Sequence, residues 1–313
     1  SGTLCVWAYA ARDAPDLSTD DFSSSEDDDD DEELFLLDRA WRDDAALGGT
    51  TRTPPPLEPV PEAADDDVAA AVRRDGACRI ERVLSAATAA RTRERVLGIL
   101  ENQQESPELS SVLGARAGAE APPTRFDVRL PLDAVVEAAA REALEGTLGD
   151  ALEALVTSDA PLYELAAIVA RPGAPPQLLH SDTLVDDDVT GPSLFTAFVA
   201  LQDVLSASVG PTRFLLGTHA DVAVHERLDS DARDAELRRL VDSGRAVAGF
   251  LEAGDCTLYD SRVIHGGGPN TAFDSNTTRV LFYLTFRCAG PQTGSSAPAF
   301  SDDDDDDPLG NPD

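Results

Sequence analysis

Gln177-Leu-Leu-His-Ser-Asp182 is the stretch from which the rest of the chain can be read. In an extended strand, residues two apart share a face, so His180 and Asp182 set an imidazole beside a carboxylate. Two such ligands hold a divalent ion poorly, and a third must come from elsewhere. The other histidines are His219, His225 and His265. His265 follows an apolar, strand-like run and opens a glycine-rich turn, His265-Gly-Gly-Gly-Pro-Asn270. A His-x-Asp pair alone is short and common, and by itself reads more readily as ordinary core or turn residues. Joined by a second histidine, it matches the two-histidine, one-carboxylate set that holds non-haem Fe(II) with positions left open.

Working outward, the segments 163–171, 178–180, 194–203, 213–216, 247–251, 256–259 and 279–287 read as strands with turn residues between them. Ahead of them, Asp67 to Gly76 suits a helix, 77–83 a short strand, and Ser85 caps an Ala/Arg-rich helix running to Glu101. The segments 132–144 and 148–155 have helical apolar spacing. Ser230–Asp242 reads as a helical insertion with Ser230 as its cap. Helices first and many strands afterwards predict an α+β domain, a double-stranded β-helix (jelly roll) with the N-terminal helices packed outside. In the last strand Val280, Phe282, Leu284 and Phe286 share one face, which should meet the helices. Arg279, Leu281, Tyr283, Thr285 and Arg287 share the other, which should line the barrel. An inward Arg279 needs an anion, either Asp274 or the carboxylate of a bound cosubstrate held by the guanidinium fork.

The chain has 313 residues and a net charge of −34. Residues 1–67 carry 20 acidic and 4 basic groups, and residues 301–313 carry seven aspartates and no base. Such density cannot bury a core, so 1–63 and 290–313 read as disordered acidic tails around a domain spanning 64–289. Leu34-Phe-Leu-Leu37 with Trp41 offers a short docking helix or a sticky patch, and Thr53 to Pro61 an extended linker. The acidity excludes nucleic-acid and anionic-membrane binding and leaves a basic protein as a possible partner for the tails. No apolar run approaches the roughly 20 residues of a membrane span. Four cysteines without metal spacing favour reduced thiols and an intracellular, cytoplasmic setting.

Taken in order, Arg74-Asp-Gly-Ala-Cys-Arg-Ile-Glu81, His180-Ser-Asp182, Gly210-Pro-Thr-Arg-Phe-Leu-Leu-Gly-Thr-His219, Gly254-Asp255, Tyr259-Asp-Ser-Arg-Val-Ile-His265, Asn270 and Arg279 resemble the phytanoyl-CoA dioxygenase family of Fe(II)/2-oxoglutarate oxygenases. The resemblance runs from Val68 to Arg287. It implies Fe(II) held by His180, Asp182 and His265, 2-oxoglutarate as cosubstrate on Arg279, and O₂ consumed. Gln177, Thr196 and Asn270 are expected among the cosubstrate or substrate contacts, with Asn270 also ordering the turn after the distal histidine. His219 is expected to be structural and His225 to lie on the surface. Leu216 and Gly267 depart from the family pattern, which usually has proline and often a small hydroxyl residue there. The implied reaction is hydroxylation of an unactivated C–H bond of a small molecule, with release of succinate and CO₂. A carboxylate at Asp182 argues against halogenation. A cupin-like isomerase or epimerase, and an inactive interaction protein with acidic tails, are the competing readings.

Overall fold

The computed structural model describes residues 55–57, 67–104, 123–156, 160–183, 194–228 and 230–288. The acidic tails and the Leu34–Trp41 segment lie outside these residues.

The first part is helical around two short strands: α1 (Asp67–Asp75), β1 (Ala77–Ile80), α2 (Ala86–Gln104), β2 (Arg125–Arg129), α3 (Ala134–Leu144) and α4 (Thr147–Leu155). Ser85 caps α2 through its hydroxyl, which accepts from Thr88 N–H at 3.3 Å. Asp133 caps α3 by accepting from the N–H groups of Val135 and Val136. The strands follow: β3 (Leu162–Ala170), β4 (Leu194–Ala200), β5 (Thr212–Leu215), then α5 (Val222–Leu228), α6 (Arg233–Asp242), β6 (Ala246–Ala248), β7 (Cys256–Asp260), β8 (Ile264–Gly267) and β9 (Arg279–Arg287).

Two antiparallel sheets face each other, a six-stranded one ordered β1-β7-β4-β9-β3-β2 and a three-stranded one ordered β6-β5-β8. This is the expected double-stranded β-helix with its helices outside. Alternation along β9 divides the core. Val280, Phe282, Leu284 and Phe286 are buried with Val72, Val96, Val136 and Leu148 from the four N-terminal helices. Leu281 and Tyr283, on the opposite face, pack with Phe198, Phe214 and Tyr259 between the sheets. Burying a side chain of this size stabilises by roughly 1.5–3 kcal/mol, so the large sheet is held from both sides. A third cluster seals the small sheet, where Val224, Leu228, Leu237 and Leu240 of α5 and α6 cover Leu215, Ala246 and Ile264.

The structure departs from the sequence reading in five places. β2 was not expected, because Arg125, Asp127 and Arg129 make one of its faces polar. The segment 178–180 is not a strand but a single antiparallel bridge, His180 to His265. His265 lies within β8 rather than opening a turn, since Gly266 and Gly267 continue the ladder against Arg213 and Thr212. Val222–Leu228 forms an unforeseen helix. Pro55–Leu57, assigned to the tail, docks on β6: Leu57 N–H donates to Ala248 O at 2.8 Å, and the Leu57 side chain is buried inside the barrel. No helix among the described residues is long and apolar enough to cross a membrane.

Candidate metal centre

The bridge between His180 and His265 builds the site. Each residue donates its N–H to the other's carbonyl, at 2.9 and 2.8 Å. The pairing puts the two rings 4.7 Å apart. Two residues on, Asp182 N–H and Thr183 N–H both donate to Ser261 O, at 2.8 and 3.2 Å, which turns the Asp182 carboxylate back toward the histidines. Asp182 Oδ1 then lies 3.6 Å from His180 Nε2 and 3.6 Å from His265 Nε2. The three ligand atoms all fall within 4.8 Å of one another.

Each histidine is oriented by a backbone carbonyl two residues earlier. His180 Nδ1 is 2.8 Å from Leu178 O, and His265 Nδ1 is 3.0 Å from Val263 O. With Nδ1 committed to donating, Nε2 keeps its lone pair for a metal. Burial holds His265 neutral, pushing its pKa down despite the pull of Asp182, with His180 acting in the same sense as burial. Burial also opposes charge on His180, but the hydrogen bonds to Asp182 and Leu178 outweigh it and raise that pKa. Burial works against ionisation of Asp182 as well, yet His265, His180 and the Tyr259 hydroxyl keep its carboxyl below the usual value. A metal would take the place of the proton that Asp182 favours on His180, leaving two imidazole nitrogens and a carboxylate oxygen, donors that borderline divalent metals accept.

The triad opens into a cavity of about 460 Å³ lined by both sheets. Arg279 lies on its wall, 1% exposed. Its guanidinium donates to Gly210 O, while its Nε has no partner. Neither Asp274 nor any other described carboxylate pairs with it, and burial followed by the neighbouring Arg125 drives its pKa well down. Arg125, unforeseen from sequence, reaches the same corner from β2. It donates to Pro175 O at 2.7 Å and Gly268 O at 3.1 Å, and its other terminal nitrogen, also buried, has no partner. Two buried arginines thus leave guanidinium nitrogens without partners in one corner beside Gly267.

Gly267 explains its own departure from the family pattern. A Cβ there would sit 2.6 Å from Gln177 Oε1 and 2.7 Å from an Arg125 nitrogen. Leu216 likewise uses what proline lacks, an N–H, which donates to Arg245 O at 2.9 Å. Gln177 and Thr196 both line the cavity, and Gln177 Oε1 accepts from Gly267 N–H at 3.0 Å. Asn270 does not belong with the cofactor contacts. It is fully buried, donates to Ala170 O and Thr277 O, and accepts from Ala272 N–H, so its amide is spent on ordering the turn. His219 is structural, with Nε2 3.0 Å from Arg73 O at the end of α1. His225 is buried rather than on the surface, with Nε2 3.0 Å from Thr218 O; the unforeseen α5 carries it inward.

Fold and donor set define a class: a double-stranded β-helix with a two-histidine, one-carboxylate metal site beside an arginine-lined cavity. Residues 72–277 match the sequence profile of the phytanoyl-CoA dioxygenase (PhyH) family, and the chain belongs to that family. A curated relative, the iron/alpha-ketoglutarate-dependent dioxygenase ausU of Aspergillus calidoustus, is 28% identical over 123 residues, 38% of this chain. That match spans only 37% of the relative's length. Among solved structures, AviO1 from Streptomyces viridochromogenes Tue57 aligns with TM-score 0.55 at 18% identity, over 74% of this chain and 99% of its own. The non-heme alpha ketoglutarate dependent carbocyclase SnoK from nogalamycin biosynthesis aligns with TM-score 0.53 at 21% identity, over 76% and 92%. These structures share the fold. The residues of this chain suit the iron and 2-oxoglutarate for which those relatives are named: an N₂O donor set for a metal and buried, unpartnered arginine nitrogens for a dicarboxylate.

Proposed function

We propose that the chain is an Fe(II)- and 2-oxoglutarate-dependent dioxygenase that hydroxylates an unactivated C–H bond of a small molecule. His180, Asp182 and His265 hold the metal in this reading. Arg279 holds the far carboxylate of 2-oxoglutarate, with Arg125 beside it. The observation that carries the proposal is Arg279, buried in the wall of the cavity that contains the triad with its Nε unpartnered, and Arg125 beside it with a second unpartnered nitrogen.

When bound, iron with 2-oxoglutarate supplies O₂-dependent oxidative decarboxylation to succinate and CO₂, coupled to removal of a hydrogen atom from the substrate. The chain's own part is positional. Nδ1 of each histidine stays protonated against its carbonyl, leaving Nε2 free. Arg279 and Arg125 fix the cosubstrate at its inert end, so that its keto-acid end is directed toward the triad. Phe198, Ile168 and Leu194 give the cavity apolar wall beside these polar groups.

The test is 2-oxoglutarate affinity, measured anaerobically with Fe(II) present. Arg279→Leu should lose a charge-assisted contact of roughly 1.5–3 kcal/mol, one to two decades in affinity, with iron binding nearly intact. Arg279→Lys should be intermediate, keeping the charge but losing the fork. Unchanged affinity in Arg279→Leu would sink the cosubstrate assignment. The reaction type is tested on the product. Hydroxylation adds one oxygen atom derived from O₂, whereas ring closure or epimerisation, the activities for which SnoK and its structural relative SnoN are named, adds none.

A further inference from the structure

Tyr259 stands beside the triad without a role in the reading above. It is 1% exposed, and its hydroxyl donates to Asp182 Oδ2 at 3.0 Å. The partner atom matters. Oδ1 is the oxygen that faces both histidines at 3.6 Å, and Oδ2 is the one that Tyr259 occupies. A carboxylate on a short side chain can turn and offer either oxygen or both. Here one oxygen is engaged before any metal arrives.

Tyr259 stands at the end of a row of polar side chains that crosses the large sheet. The register aligns Tyr259 of β7 with Thr196 of β4, Thr196 with Thr285 of β9, and Thr285 with Glu164 of β3. All four side chains line the cavity. Thr196 Oγ1 is 3.0 Å from Thr285 Oγ1, and Thr285 Oγ1 donates to Glu164 Oε2 at 3.4 Å. A hydroxyl has one proton to give. Thr285 gives its proton to Glu164, so Thr196 donates to Thr285, while Tyr259 gives its own proton to Asp182. Three buried hydroxyls in register on otherwise apolar central strands are expensive unless satisfied by one another. Valine and phenylalanine would serve packing better.

We propose that Tyr259 is a positioning residue for the metal centre: it engages Oδ2 of Asp182 so that a single carboxylate oxygen faces the two histidines. The proposal rests on the metal-centre reading and adds a role for a residue that does not touch the metal. Co(II) alone, titrated into the full chain and followed by its visible absorption, is the probe. Tyr259→Phe should weaken Co(II) binding roughly ten- to hundredfold, the usual cost of losing an outer partner of a metal ligand, and change the band shape as Oδ2 is released. Wild-type affinity in Tyr259→Phe, or weakened affinity with the wild-type band shape, would overturn the positioning role while leaving the centre intact. Failure of the unaltered chain to bind Co(II) would overturn both.

Discussion

At Arg279 the fold buries a guanidinium whose Nε has no acceptor, a cost that the proposed cosubstrate carboxylate would offset. Gly267 belongs to the same corner, because its missing side chain leaves room for Gln177 and Arg125. Gly267→Ala should therefore displace two flexible side-chain ends rather than backbone. The expected result is about a tenfold loss of 2-oxoglutarate affinity, one charge-assisted contact's worth, with the melting temperature nearly unchanged. Calorimetric titration beside a thermal melt would check it, and a collapse in melting temperature at intact affinity would refute it. Arg279 was legible in the sequence because strand alternation in β9 is clean, and alternation alone sets its direction. Arg125 was not. Arg125, Asp127 and Arg129 share one face of β2, and three charges in five residues read as solvated coil. Tyr259 was visible as a residue but not as a contact, since the pairing that brings it to Asp182 joins positions 77 apart.

Among the elements, the long strands and the N-terminal helices followed from periodicity and caps, whereas short pieces did not. Three residues of β6 and four of β8 are too few to show a period, and their extended form comes from the ladder they join. The α5–α6 pair illustrates a contact with a measurable pH signature. Glu236 of α6 is buried and accepts from Arg239 on its own helix at 2.5 Å and from Arg227 of α5 at 3.0 Å. The hydrogen bond from Arg239, outweighing burial and aided by Arg227, draws its pKa down to about 2. An unfolded glutamate titrates near ~4.3, so the folded form binds its proton later. The stabilisation is complete above that value and is lost as pH falls from about 5 toward 2. Thermal melts across this window should show the wild type losing its advantage over Glu236→Gln as pH drops. A constant difference would show that the ion pair contributes nothing there.

At the scale of the whole molecule, the charge map assigned everything before residue 64 to an acidic margin, a boundary that takes in residues the fold uses. Pro55–Leu57 pairs with β6, and Leu57 enters the core between the sheets. Composition hid this, because a lone leucine among prolines carries no pattern. Leu57→Ala should cost about 2–5 kcal/mol, and a chain beginning at residue 64 should melt below one that retains Pro55–Leu57. Equal melting temperatures would return this segment to the tail. The bridge between His180 and His265 has a consequence of a different kind. Its two backbone hydrogen bonds, with those from Asp182 and Thr183 to Ser261, tie an otherwise unpaired segment to β8 and the turn before it. The amide protons of His180, Asp182 and His265 thus report, by their exchange with deuterium, how often the segment lifts. A metal held by all three side chains penalises each lifting, so these amides should exchange more slowly in the loaded protein while those of α2, far from the site, keep their rates.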